Sequence, residues 1–375
     1  MKKMTSRERL LSAIEGEPVD RIPVSPRIWR YALWKKCSKL ELARRFDFDY
    51  FEFGTGPLGT PLSDVYCETV ESLLPEVKID VRKQRQENKT EIERTFHTPG
   101  GELHDLLVQP DAGGEYGIGP NPEWKEPLVK TDQDVERLAH LLPESRHVKD
   151  NFPSAYELEA EVGDAGLAAF RPTVGVDQVV VDALGPARAM ILSIENPRML
   201  DRLIEIVDAW HTQVMKLVLE DGWKIIFDAF FNFSLSVGWS PDFYRQTVAP
   251  IIKKHTDLVH SYGAKMMFYD DGKLSRSIGY IIDAGVDIIQ TLTPPPIGDL
   301  DFKHLAETYG GKVCFNGGID TVRIRFGRPE EIAGKVRELM DIFAPTGRFI
   351  LGTSDSITEG TPEENMHAFF ETGKK

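Results

Sequence analysis

Short apolar runs alternate along this chain with longer stretches in which hydrophobic residues recur at three- and four-residue spacing. Eight of the short runs read as strands: residues 22–24, 50–53, 167–170, 225–227, 265–268, 287–290, 313–315 and 349–351. From residue 167 onward the order is regular: strand, loop, helix, strand. Alternation of this kind implies βαβ units and a parallel sheet. Eight such units predict the α/β fold class and a closed (β/α)8 TIM barrel, which takes about 250 residues. The 375-residue chain is therefore expected to be one barrel domain, 1–375, carrying insertions. Helix starts are punctuated as a barrel requires. Thr5-Ser6-Arg7-Glu8 has the spacing of a capping box. Ser240-Pro241-Asp242 and Thr361-Pro362-Glu363-Glu364 each place a hydroxyl before a proline at the first helical position.

The segment from Val77 to Leu107 breaks this rhythm. Two alternating runs flank Thr98-Pro99-Gly100-Gly101, which predicts a β-hairpin. It reads as an insertion, about 77–126, between the second and third barrel strands. Its tail, 110–126, is rich in Gly and Pro and reads as loop.

Charge and cysteine content narrow the function classes. The 45 basic and 59 acidic residues leave a net charge of −14, which argues against a nucleic-acid binder. Cys37, Cys67 and Cys314 are widely spaced with no C-x-x-C, so neither a disulfide framework nor a thiolate zinc cage is expected. The N-terminal stretch lacks the apolar core of a secretory signal, and no run is apolar enough to span a membrane. A cytoplasmic protein with reduced thiols is the expectation.

In a barrel of this kind the reactive groups lie at the C-terminal ends of the strands. Those positions here are rich in carboxylates: Glu52, Asp228, Asp270, Asp271, Asp320 and Asp355. Carboxylates there can act as acid or base, ligate a metal, or simply cap the next helix. Adjacent Asp270 and Asp271 should repel, raising the pKa of one. Arg27, Arg30 and Arg171 are candidate anion clamps or surface ion pairs. Trp29, Tyr31, Phe230, Phe231, Phe233 and Trp239 either line a pocket or belong to the core. The nine histidines show no metal-ligand spacing, and His211, His255 and His260 read as surface or satisfied residues. Asn316-Gly317-Gly318-Ile319-Asp320 lacks phosphate-loop spacing and reads as a tight turn. The candidate catalytic residues are thus Asp270, Asp271, Asp228 and Tyr269. The candidate substrate contacts are Arg27, Glu52, Arg171, Asn232, Asn316 and Asp355, with no metal ligands assigned.

The opening MTSRERLLSAIEGEPVDRIPV, the stretch SYGAKMMFYDDGKLSRSIGYIIDAGVDIIQTL, FNGGID and the ending FILGTSDSITEGTPEENMHAFFE resemble the uroporphyrinogen decarboxylase superfamily. The resemblance implies a (β/α)8 barrel with a cleft at the C-terminal strand ends. True decarboxylases of that family hold substrate carboxylates with N-terminal arginines. Here Ser25-Pro26-Arg27-Ile28-Trp29-Arg30-Tyr31 replaces their motif with altered spacing. The family's thiol-activating methyltransferases hold zinc through His-x-Cys on the fifth strand and a late Cys on the eighth. The matching positions here are Tyr269, Asp271 and the Thr353–Ser354 region, with no sulfur ligand. The insertion and the phrase TDQDVERLAHLLPE resemble the methyltransferase and O-demethylase branch. That branch implies methyl transfer between a small substrate and the cobalamin of a corrinoid partner protein. No cofactor bound tightly by this chain is the base expectation, with zinc compatible only through ligands other than cysteine. The alternatives are a cofactor-independent decarboxylase of a carboxylated ring and a non-catalytic tetrapyrrole or corrinoid-protein binding module. Monomer and homodimer are both compatible with the sequence.

Overall fold

The computed structural model describes residues 3–55, 62, 64–68, 73–111, 121–146 and 154–375. In chain order its strands begin with β1 (Tyr50–Thr55), β2 (Lys78–Arg85), β3 (Lys89–Thr98), β4 (Gly101–Pro110), β5 (Glu123–Glu126) and β6 (Gly166–Arg171). They continue with β7 (Ile225–Ala229), β8 (Lys265–Tyr269), β9 (Ile288–Gln290), β10 (Cys314–Ile319) and β11 (Phe349–Thr353). One sheet has the order β1-β6-β7-β8-β9-β10-β11 and a second the order β2-β3-β4-β5. The chain divides into two compact units: Met1–Gly54, Ser154–Phe170 and Asp221–Lys375 form the first, Thr55–Pro153 and Arg171–Glu220 the second.

The first unit holds the parallel sheet. Its strands are apolar on both faces, as expected where one face meets helices and the other a barrel interior. Alternate residues converge inward: Phe51, Leu167, Ala169, Ile225, Phe227, Ala229, Met267, Tyr269, Ile288, Cys314 and Ile350 share one buried cluster. Leu10, Ala13 and Ile14 of helix Ser6–Glu15 join the same cluster. That helix starts at the capping box predicted from Thr5 and Glu8.

The run at 22–24 forms no extended strand. Val24 makes a single parallel bridge to Leu351. The reason is local: Pro23 and Pro26 lack the N–H groups that would extend a ladder. The segment still closes the ring of strands. Leu351 N donates to Pro23 O and Ser25 N to Leu351 O, both at 2.8 Å. On the other side Asp49 N donates to Val24 O at 2.9 Å, and the Asp49 carboxylate accepts from Val24 N at 2.8 Å. Asp49 is fully buried, and Arg9 (2.5 Å) and Arg21 (2.7 Å) neutralise it.

Two other local expectations change. Thr361 does not cap the last helix: its hydroxyl donates to Thr358 O, and helix Glu363–Gly373 starts without a side-chain cap. Asn316-Gly317-Gly318-Ile319 is not a turn but part of β10. Gly317 has φ +146°, and a Cβ there would lie 2.5 Å from Leu292 N, so glycine allows close approach within the barrel wall. Of the two readings of His255, surface or satisfied, the second holds: it is fully buried and bonded to Asp228.

The second unit contains the antiparallel sheet. β3 and β4 pair in register from Lys89↔Pro110 to Thr98↔Gly101, around the predicted turn. The tail is not all loop, because β5 pairs with Leu106–Val108 of β4; residues 112–120 lie outside the described residues. Cross-strand partners Arg94 and Asp105 are both fully buried and form a two-pronged ion pair. Helix Pro197–Glu220 carries His211, also buried, whose Nδ1 lies 2.7 Å from the Thr173 hydroxyl.

Candidate functional site

Strand parity decides which strand-end side chains meet. Tyr269 ends the inward series of β8, and Asp271 follows it two residues later. The Tyr269 hydroxyl donates to Asp271 Oδ2 at 3.0 Å. Gln290 continues the inward series from Ile288, and Asn316 from Cys314. Those two amides are hydrogen-bonded to each other. Arg27, just past the shortened first strand, spreads its guanidinium over the Tyr269 ring at 4.4 Å from the centroid and lies 5.7 Å from that of Phe227. Its Nη1 donates to Gln290 Oε1 at 3.3 Å, and its Nε lies 3.8 Å from Asp355 Oδ1. Backbone bonds pin the same groups. Arg27 N donates to Thr353 Oγ1 at 3.2 Å, and Thr293 Oγ1 donates to Asp271 O at 3.0 Å.

The result is a cluster of Arg27, Tyr269, Asp271, Gln290, Asn316 and Asp355 at the C-terminal strand ends. Burial pushes the Asp271 carboxyl above its ordinary range, and the nearby Asp355 charge adds to this. The Tyr269 hydroxyl and Arg27 pull it part of the way back. Burial also raises the Tyr269 phenol well above its usual value, so it stays a hydrogen-bond donor. A carboxyl whose pKa is raised in this way is suited to deliver a proton to a leaving group.

The cause expected from sequence was different. Asp270 does not face Asp271: it lies on the opposite parity, and its Oδ1 accepts from Gly272 N at 2.9 Å. Asp228 has the same outward parity. Its Oδ2 lies 2.7 Å from Nδ1 of His255 on helix Ala249–Ser261, and both are buried. Glu52 alternates with inward Phe51 and forms an ion pair with Lys39. The Asn232 carbonyl accepts from the Trp239 indole at 2.7 Å. Asp320 caps helix Thr321–Phe326 through Val322 N at 2.8 Å, which is the ordinary strand-end use of aspartate. Arg30 pairs with Glu359 at 3.2 Å. Arg171 belongs to the second unit, where its guanidinium donates to Val174 O. Tyr31, Phe230, Phe233 and Trp239 are core residues, and Phe231 packs against the inward cluster.

Gln290 is a site residue that the sequence reading did not name among its candidates. Its period-two spacing from Ile288 is the signal that places it.

No cysteine stands at the ends of β8 or β11. Cys314 is inside the barrel core, where burial pushes its thiol far up, and Cys67 is buried in the second unit. Cys37 is half-buried just after helix Trp29–Lys35. These residues do not fit a zinc held by thiolates at the barrel mouth.

A family model described as uroporphyrinogen decarboxylase (URO-D) matches residues 103–375. Uroporphyrinogen decarboxylases from two strains of Prochlorococcus marinus are 27% identical over 187 residues and 26% identical over 188. Each alignment covers 49% of this chain, and the chain spans about half the length of these curated relatives (50% and 51%). Among solved structures, a methyltransferase from Methanosarcina mazei superposes with a TM-score of 0.60 at 16% identity, covering 99% of this chain and 98% of that one. This last likeness shows a shared fold.

Proposed function

Because the chain belongs to the uroporphyrinogen decarboxylase (URO-D) family, we propose that it is a methyltransferase-type member. In this reading it moves a methyl group from a small methoxylated acid to a corrinoid protein. The observation that carries the reading is the half-buried Asp271 carboxyl, bonded to Tyr269, close to the Arg27 guanidinium and with its pKa raised. The full-length fold likeness to a protein titled methyltransferase supports it.

Arg27 holds the substrate carboxylate, and the Tyr269 and Phe227 rings form an apolar wall beside it. The partner's cobalamin supplies the electron-rich acceptor for the methyl group. The methyl–oxygen bond breaks with its electron pair on oxygen, and Asp271 delivers its proton to that oxygen, so the product leaves with a neutral hydroxyl where the methoxy group was. The Asp355 charge opposes the ionisation of Asp271, and the Arg27 guanidinium offsets it. Asp228 and Asp270 act on the fold in this reading, through His255 and the Gly272 turn.

Methylation of reduced cobalamin by methoxylated acids, followed spectroscopically, tests the proposal. Asp271→Asn should lower kcat by at least tenfold, since a positioned acid contributes roughly 10²–10⁴-fold. Wild-type rates in Asp271→Asn reject the role.

A second reading, decarboxylation of a carboxylated ring, is favoured by the names of the curated relatives. A ring bearing many carboxylates needs several cations, whereas Arg30 is committed to Glu359. Carbon dioxide release from uroporphyrinogen by the purified protein would decide for it.

A further inference from the structure

The amides of Gln290 and Asn316 connect the barrel wall to Arg27, and their polarity follows from chemistry alone. Asn316 Nδ2 is 3.3 Å from both Ser25 O and Ile350 O. Carbonyl oxygens only accept, so the Asn316 NH2 must face them, and both of its donors are used. Its Oδ1 then faces Gln290, whose Nε2 must donate to it at 2.5 Å. That turns Gln290 Oε1 toward Arg27 Nη1 at 3.3 Å, and a guanidinium only donates. Reversing either amide would set donor against donor or carbonyl against carbonyl. Two backbone carbonyls therefore fix, through two side chains, the acceptor that Arg27 meets. Both amides are about 2% exposed or less, so water offers no cheap substitute partner. Gly352 leaves the room this requires: a Cβ there would lie 3.1 Å from Asn316 Nδ2 and 3.0 Å from Ser25 O.

We infer that Gln290 and Asn316 are positioning residues: a fixed-polarity amide relay that orients Arg27 and thereby selects substrates presenting a carboxylate. This rests on the reading that Arg27 anchors the substrate acid. The guanidinium is held on its ring face by Tyr269 and on one edge by Gln290, while the nearby Asp355 carboxylate biases its other side. Without the relay the cation keeps its charge but loses its direction, and a bidentate match to a carboxylate depends on direction.

Binding separates this role from simple destabilisation. Methoxyacetate and the neutral 1,2-dimethoxyethane serve as probes, titrated by calorimetry or ligand-observed NMR against wild type, Gln290→Met and Asn316→Asp. Gln290→Met keeps length and removes the acceptor. Asn316→Asp keeps shape and, when ionised, removes both donors to Ser25 and Ile350. Each should weaken methoxyacetate about tenfold relative to wild type and leave the neutral ether within about twofold, the scale of one charge-assisted hydrogen bond. In turnover the same variants should raise KM for the acid about tenfold with kcat within about threefold. A crystal structure of Gln290→Met should show Arg27 displaced from its place over Tyr269. Equal weakening of both probes, no wild-type preference for methoxyacetate, or an unmoved Arg27 in Gln290→Met each overturns the relay. If the binding split holds while no methyl transfer occurs, the relay stands and the proposed reaction falls.

Discussion

The Tyr269 hydroxyl donates to Asp271 Oδ2 at 3.0 Å, giving a half-buried carboxyl one partner that favours its charged form. Tyr269→Phe removes that bond and keeps the ring beneath Arg27. The Asp271 pKa, already raised by burial, should rise further. A step that needs the protonated acid fails as pH rises through that pKa. The alkaline limb of kcat/KM against pH should therefore move to higher pH in Tyr269→Phe. An unmoved limb, or one shifted toward acid, removes Asp271 from the acid role.

The same group makes stability depend on pH. Its folded pKa lies above the unfolded value of about 3.9, so in that window the native state binds the extra proton. The contribution is complete below the unfolded pKa and is lost as pH rises through the folded one. Asp271→Asn has no such loss. Urea unfolding of both proteins between about pH 4 and pH 8 should show the mutant gaining on wild type as pH rises. A constant or shrinking difference contradicts the raised pKa.

Asp49 should matter far more to folding than to chemistry. It is fully buried, closes the strand ring at Val24 and neutralises Arg9 and Arg21. Asp49→Ala leaves Arg9 only its Asp20 partner, takes the carboxylate from Arg21 and leaves Val24 N–H without its acceptor, and should cost about 3–5 kcal/mol of unfolding free energy. Denaturant titration measures this, and a cost below about 1 kcal/mol would mean the closure is held by other contacts.

Asp228 offers the complementary test, because it is a strand-end acid turned away from the inward cluster. Its buried bond to His255 predicts that Asp228→Ala loses about 2–5 kcal/mol of stability. Methoxyacetate affinity of the folded fraction should stay within about twofold of wild type. A selective loss of affinity at unchanged stability would return Asp228 to the site.

Thiol accessibility distinguishes the three cysteines. Burial pushes the Cys67 thiol up to about 11 and Cys314 higher still, while Cys37 is partly exposed. Maleimide at about pH 8 should label Cys37 quickly in the native protein, and all three only after denaturation. Rapid native labelling of Cys314 would be incompatible with its place in the barrel core.

Much of the barrel was legible because its signals are local. The strand runs, Thr5 with Glu8, and Ser240 before Pro241 follow from periodicity and from the hydrogen-bonding needs of helix ends. The hairpin turn at Thr98 to Gly101 was legible for the same reason. The fourth antiparallel strand, β5, was hidden in a Gly- and Pro-rich tail whose pairing partner lies elsewhere in the chain. The first barrel strand was overestimated because its two prolines outweigh its apolar residues.

The sequence by itself determined the alternation of strands and helices, the absence of sulfur at the fifth and eighth strand ends, and a set of polar residues there. It could not rank them, because type and position are nearly the same for Asp228, Asp270 and Asp271. Tertiary structure decided that ranking through register. A one-residue difference in parity sends Asp228 to His255 and Asp270 to Gly272, and turns Asp271 toward Tyr269. It also brought Arg27, Gln290 and Asn316 together from three distant parts of the chain. The physical reason is that hydrophobic periodicity and capping act over a few residues, whereas the field around a carboxyl is set by whatever the closed ring of strands brings beside it.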